Sequence, residues 1–251
     1  MYVGQDITTD PNKQPVVDRE QREQVRLQQI RSRVEIILLG SCNNLNERMG
    51  SYRAPVIECA SDVSLSDLLE KLLIKGANPN IWTLGLGTPL HLCCGHTPNL
   101  AGAELLLNYG ANIDERMASS TITAVSQAAE LVHSDLVKLF LERGANPNLE
   151  DIVANKAKTP LMYALEGAWR NQPSAKIIVG LLLFYGADPF KCNKQGENAI
   201  VVAKNLKLPA FSVLLANAQK NLRANLTKVL SRGHTPFDNN TATLIAHCRY
   251  S

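Results

Sequence analysis

Most of the features that announce chemistry are missing from this chain. Its formal charge of +3, from 26 basic and 23 acidic side chains, is too small to argue for nucleic acid or an anionic membrane surface as a partner. No apolar run approaches the length needed to cross a bilayer, so no membrane insertion is expected. Residues Met1 to Pro15 lack the basic and apolar regions of a signal peptide, and nothing there directs classical secretion. The 6 cysteines stand at irregular positions, several inside helical motifs, as reduced thiols in a cytosol do; a cytoplasmic location is expected. No Ser/His/Asp arrangement and no glycine-rich phosphate loop appear. His91, Cys93, Cys94 and His96 are dense, but a metal site wants spaced pairs supported by a second pair elsewhere, and there is none. A Cys192–His234 pair could be assembled only from distant positions with no local support. The expectation is therefore a chain without catalytic, cofactor-binding or metal-binding residues.

What the chain does have is a phrase that it says repeatedly. Lys75-Gly76-Ala77-Asn78-Pro79-Asn80 returns as Tyr109-Gly110-Ala111-Asn112-Ile113-Asp114, as Arg143-Gly144-Ala145-Asn146-Pro147-Asn148 and as Tyr185-Gly186-Ala187-Asp188-Pro189-Phe190. The glycines are 34, 34 and 42 residues apart, and a period of that size is the mark of a stacked repeat architecture. Each copy follows an apolar helical run, such as Leu105-Leu106-Leu107 or Leu181-Leu182-Leu183. Glycine can close a helix in the left-handed conformation, and the Asn or Asp two residues on suits the turn that follows.

A second phrase stands downstream of the join. Thr88-Pro89-Leu90-His91 and Thr159-Pro160-Leu161-Met162 each put a capping threonine before a proline at the first helical position. The two phrases together, short helix, turn, Leu-rich helix, Gly-Ala-Asn/Asp and loop, resemble the ankyrin repeat family, and Ala128 to Ala145 follows its pattern almost position for position. The resemblance covers roughly residues 50 to 218 and implies an all-α solenoid of about five helix-turn-helix units starting near 50, 84, 119, 155 and 194. It also implies that His91 bonds backbone between repeats. Aligning the units puts Cys59, Cys93, Ala128, Ala164 and Ala203 in one column, where only small side chains fit.

The remaining segments are read by their patterns. Residues 1–17 are a polar lead without periodicity. Within 18–49, a helix over 18–39 carries Val25, Ile30, Val34, Ile37 and Leu38 on one stripe and is expected to cap the stack, as solenoids require. Residues 219–251 keep no repeat signature and are expected to form a helical cap at the other end. The long interval comes from a ten-residue loop over 149–158 and from an inserted stretch, Glu166 to Ala175, between the two helices of the fourth repeat. Trp169 in that insertion is either an exposed anchor or a lid over the helix pair.

In the family this chain resembles, hairpin loops and short first helices line a groove that binds other proteins. Here the loops carry Trp82, Leu84, Arg116, Met117, Asp151, Phe190 and Lys191. Exposed aromatic, Met and Arg side chains match the composition of binding hot spots, while Arg116, Asp151 and Lys191 would act as rim charges that set specificity. Trp82 and Phe190 could instead fold down and stiffen the hairpins. The expected function is a non-catalytic, monomeric module that binds a protein partner through its loop tips and concave face. The Asn-rich joins also resemble ankyrin proteins of intracellular bacteria, which makes a host-directed effector the alternative; an enzyme comes third, since thirty C-terminal residues are too few for a catalytic domain.

Overall fold

The computed structural model describes residues 19–40, 45–46, 59–60, 62–82, 87–117, 121–151 and 157–218. The chain divides into two compact units, Met1–Asn43 and Asn44–Ser251. In the first, α1 (Arg19–Leu39) is a 21-residue helix. Ile30, Val34 and Ile37 are withdrawn from solvent, one helical turn apart, whereas Val25 is 53% exposed. The buried stripe is thus shorter than the sequence pattern suggests and occupies only the C-terminal half of the helix. The expected C-terminal cap, 219–251, lies outside the described residues.

The second unit is a stack of helices. A 3-10 turn (Val63–Leu65) leads into α2 (Ser66–Ile74). Then come α3 (Pro89–Leu92), α4 (Leu100–Asn108), α5 (Ala124–Glu130) and α6 (Ser134–Glu142). These are followed by α7 (Pro160–Gly167), α8 (Gln172–Phe184), α9 (Ala199–Asn205) and a helix over 209–218 (α10). Among the described residues there is no strand; an isolated antiparallel bridge joins Arg116 and Thr123.

Short local signals start and stop these helices. Thr123, Thr159, Asn171 and Asn198 each accept a hydrogen bond from the backbone N–H three residues on, which satisfies a donor that the first turn leaves unpaired. At the other end, Gly76, Gly110, Gly144 and Gly186 take φ between +85° and +90°. The alanine after each glycine donates back five residues, for example Ala145 N to Phe140 O at 2.9 Å and Ala187 N to Leu182 O at 2.8 Å. That pairing closes the helix and turns the chain into the loop.

Packing runs in two layers. The inner helices α5, α7 and α9 contact one another in order, as do the outer helices α2, α4, α6 and α8, and α3, α5 and α7 each pack on the outer helix that follows. The small-residue column is fully buried: Cys59, Cys93, Ala128, Ala164 and Ala203 all have 0% exposure. Between the layers lie Leu68, Leu69 and Leu72, Leu106, Leu136 and Phe140, and Ile178 and Leu182. At the turn that ends α7, a Cβ on Gly167 would stand 2.7 Å from the Glu130 carbonyl oxygen, so only glycine lets that turn seat against its neighbour. The Glu166–Ala175 insertion is not a loop. Most of it is helix, because Asn171 caps α8 and Pro173 sits in its first turn; α8 has 13 residues where α2, α4 and α6 have 9 each.

Candidate functional site

The loops that follow the outer helices are held in register by a ladder of asparagine and aspartate side chains. Asn80 Oδ1 accepts from Asn112 N at 2.7 Å, Asp114 Oδ1 from Asn146 N at 3.0 Å, and Asn148 Oδ1 from Asp188 N at 2.7 Å. An amide at the rung also donates: Asn80 Nδ2 reaches Gly110 O at 3.0 Å and Asn148 Nδ2 reaches Gly186 O at 2.9 Å. Asp114 is a carboxylate without a donor when ionised, so its rung makes only the first of these bonds. In the sequence only the residues two positions after each glycine, Asn78, Asn112, Asn146 and Asp188, read as turn formers; the rung residues Asn80, Asp114 and Asn148 carry no reading of their own. The recurrence of Asn or Asp two residues after Asn78, Asn112 and Asn146 is the signal in the sequence for their role between repeats.

On this scaffold the expected contact residues separate. Trp82 is 43% exposed and stands at the end of its described loop segment; Leu84 lies outside the described residues. Met117 is half-buried, donates its N–H to Ile122 O at 2.9 Å, and has its Cγ 3.2 Å from the point where a Cβ on Gly87 would stand. It therefore leans onto the preceding loop. Arg116 is half-buried, its Nε has no hydrogen-bond partner, and neighbouring Glu115 accepts instead from Asn112 Nδ2 at 2.8 Å.

Two expected rim charges are held by bonds within the stack. Asp151 is 4% exposed. Its Oδ1 accepts from Lys158 N at 2.7 Å and its Oδ2 from the Tyr163 hydroxyl, while its own N–H donates to Lys158 O at 3.1 Å. A carboxylate with that much buried bonding closes a loop rather than steering a partner. Burial and the adjacent carboxylate push the Tyr163 phenol far above its ordinary range, so it stays a donor. Lys191 is no loose charge either: its Nζ bonds Asn148 O at 2.8 Å and Glu150 Oε1 at 2.9 Å, which straps two consecutive loops together.

Phe190 is half-buried, its N–H donating to Asp188 Oδ1 at 2.9 Å, so it sits closer to hairpin packing than to an open anchor. Trp169 is 77% exposed, with the Arg170 guanidinium 4.7 Å from its ring centroid. It is no lid. It also belongs to another end of the molecule: the 168–171 turn joins the C-terminus of α7 to the N-terminus of α8, whereas the long loops leave from the opposite ends of that antiparallel pair.

The histidine and cysteines serve the stack. His91 is 1% exposed; its Nε2 lies 3.0 Å from Ile122 O, and its Nδ1 lies 2.9 Å from Thr88 Oγ1 and 3.3 Å from Thr88 N. Nε2–H donating to the carbonyl leaves Nδ1 as the acceptor, which assigns a neutral tautomer. Burial lowers the His91 pKa below its ordinary 6.5, against smaller opposing contributions from the Ile122 carbonyl and Glu115. Cys93 and Cys94 are fully buried, with Sγ atoms 3.4 Å from Ala60 O and 3.5 Å from Ala124 O, and burial pushes both thiols up. Among the described residues no group of three or more His, Cys, Asp or Glu side chains is placed to hold a metal ion.

Comparison with known proteins agrees with this geometry. Residues 56–151 match the family model described as ankyrin repeats (3 copies). The transient receptor potential channel pyrexia of Drosophila melanogaster is 28% identical over 156 residues, 62% of this chain and 15% of that protein. The B-cell lymphoma 3 protein homolog of Mus musculus is 28% identical over 152 residues, 60% of this chain and 32% of its own length. The putative ankyrin repeat protein FPV014 of Fowlpox virus (strain NVSL) is 33% identical over 112 residues, 44% of this chain and 24% of its own. The chain thus spans 15% to 32% of the curated relatives it matches. Helix pairs closed by Gly-Ala-Asn joins, a buried small-residue column and the family match converge, and residues 56–151 are ankyrin repeats.

Proposed function

We propose that this chain is a non-catalytic protein-interaction module whose contact edge is the row of loop tips, with Trp82 and Arg116 at its centre and Met117 beside them. Ankyrin repeats generally mediate protein–protein interaction and are generally non-catalytic. The observation that carries the reading is a difference in how the loop side chains are spent. Asp151, Lys191 and Glu115 are bonded within the stack, whereas Trp82 keeps 43% of its surface in water and the Arg116 Nε has no hydrogen-bond partner. An exposed indole on one loop and, on the next, an arginine whose Nε has no hydrogen-bond partner are side-chain types found at interface centres. The proposed partner is a protein, met by a monomer in the cytoplasm. The engaged ring nitrogens of His91 and the buried Cys93 and Cys94 thiols support a role without catalysis.

The test is affinity capture of a partner, then titration of Trp82→Ala and Arg116→Ala against it, with Arg26→Ala on α1 as control. Trp82→Ala is expected to weaken the complex by about 2 kcal/mol or more with a Tm within a few degrees of wild type. If Trp82→Ala unfolds the chain and binding follows stability across the set, the tryptophan is packing and the reading fails.

A further inference from the structure

The outer helix α8 carries a second surface, away from the loop edge. Its inward face is conventional: Ala175, Ile178, Val179 and Leu182 are fully buried. The opposite face is apolar as well. Ile177 is 57% exposed and Phe184 is 82% exposed although its ring meets Tyr185 edge-on at 5.2 Å; Pro173 is exposed one turn before Ile177. At 3.6 residues per turn, positions 173, 177, 180 and 184 fall within one narrow stripe about 16 Å long.

Gly180 stands in the middle of that stripe. A glycine inside a helix destabilises it relative to alanine, and a fold usually keeps one for close packing or for a positive φ. Neither applies here. A Cβ on Gly180 would meet nothing within 4 Å, and Gly180 is not among the positive-φ glycines. The chain's own packing gives no reason for it. Between Ile177 and Phe184 the missing side chain leaves a notch, the shape that lets another backbone or a bulky side chain come close.

The charges say what kind of occupant fits. α8 contains no acidic residue. Its flank carries Lys176, and the turn before it carries Arg170 over Trp169; neither forms an ion pair among the described residues. On the adjacent outer helix, Glu142 lies 3.9 Å from Lys138, and Asp135 pairs with neither cation. A second copy of the chain would bring no carboxylate on this helix to meet those cations. We propose that the outward face of α8, from Trp169 through Ile177 and Gly180 to Phe184, docks an amphipathic helix of a partner protein that sets an apolar row into the notch and carries carboxylates toward Arg170 and Lys176.

The test uses the full chain and a displayed library of single-helix peptides with apolar residues at i, i+3/i+4 and i+7 and Glu, Lys or Gln elsewhere. Binders selected on wild type are expected to be enriched in Glu on one flank and to lose at least tenfold in affinity on Phe184→Ser and on Lys176→Glu. Trp82→Ala should leave them unchanged, which separates this face from the loop edge. Gly180→Ala is the sharper variant, since it should raise Tm through helix propensity while weakening peptide binding. The proposal is overturned if no Glu enrichment appears or if Gly180→Ala raises Tm with binding intact. It is equally overturned if Phe184 instead mediates self-association in sedimentation, or cosedimentation with phosphatidylserine vesicles.

Discussion

His91→Ala is the substitution whose consequence can be worked out most fully. The imidazole is buried and spans two repeats, with Nε2 on Ile122 O at 3.0 Å and Nδ1 facing Thr88 N at 3.3 Å. Truncation leaves a buried carbonyl and a buried N–H without partners, and each orphan costs about 1–3 kcal/mol where water cannot reach it. It also removes ring volume from a packed site, which adds a cavity cost. The expected loss is at least about 2 kcal/mol, a large share of the roughly 5–15 kcal/mol by which a domain is typically stable. The pH dependence makes the assignment more specific. Burial holds the folded pKa of His91 below the ordinary 6.5, so the neutral ring is favoured by folding. Its contribution is complete above pH 6.5 and declines as pH falls from 6.5 through the folded pKa, because the unfolded chain takes up the proton first. Urea unfolding of wild type and His91→Ala between pH 7.5 and 5 should show the stability gap narrowing toward acid. A gap that is constant or widens, or a cost below about 0.5 kcal/mol at neutral pH, would refute the reasoning.

Two further substitutions follow from the loops. Asn148→Ala removes an acceptor for Asp188 N and a donor for Gly186 O, and should cost about 1–2 kcal/mol in chemical denaturation; Asp114→Asn supplies an amide donor that the rung lacks and should raise stability by a few tenths of a kcal/mol or more. Asp151→Ala strands the buried Tyr163 hydroxyl and unfastens Lys158 N, so it should cost about 2–3 kcal/mol and bring the phenol's titration, followed by ultraviolet absorbance, down toward the ordinary tyrosine range.

The parts of this molecule that were legible in its sequence are those set by neighbours in the chain. Gly-Ala-Asn joins, Thr-Pro starts and the Cys59–Cys93–Ala128–Ala164–Ala203 column depend on local conformation or on a fixed period, and both can be read from one sequence. The fate of a loop charge depends on what lies across from it. Asp151 was expected on a rim, but its partner Tyr163 is 12 residues on, inside the next helix; Lys191 is tied to a carbonyl 43 residues back. Nothing local distinguishes such residues from Arg116, whose Nε has no hydrogen-bond partner. The insertion around Trp169 failed for another reason. Gly167 and Pro173 look like loop residues in the sequence, although glycine can end a helix and proline can open one, and here they do both jobs within a few positions.

The ladder and His91 together decide how the stack comes apart. A solenoid holds by contacts between neighbours, so its weakest seam can lie anywhere along its length. At the seams joined by Asn80 and Asn148 the loops are bonded in both directions, by groups that do not titrate near neutrality. At the seam joined by Asp114 the loop bonds in one direction only, and a fastening of the inner layer is a histidine that acid weakens. Acidity should therefore open the middle of the stack before its flanks. The chain would then part into two blocks, with the amides around Ile122 exchanging with solvent while those of α7 and α8 remain protected.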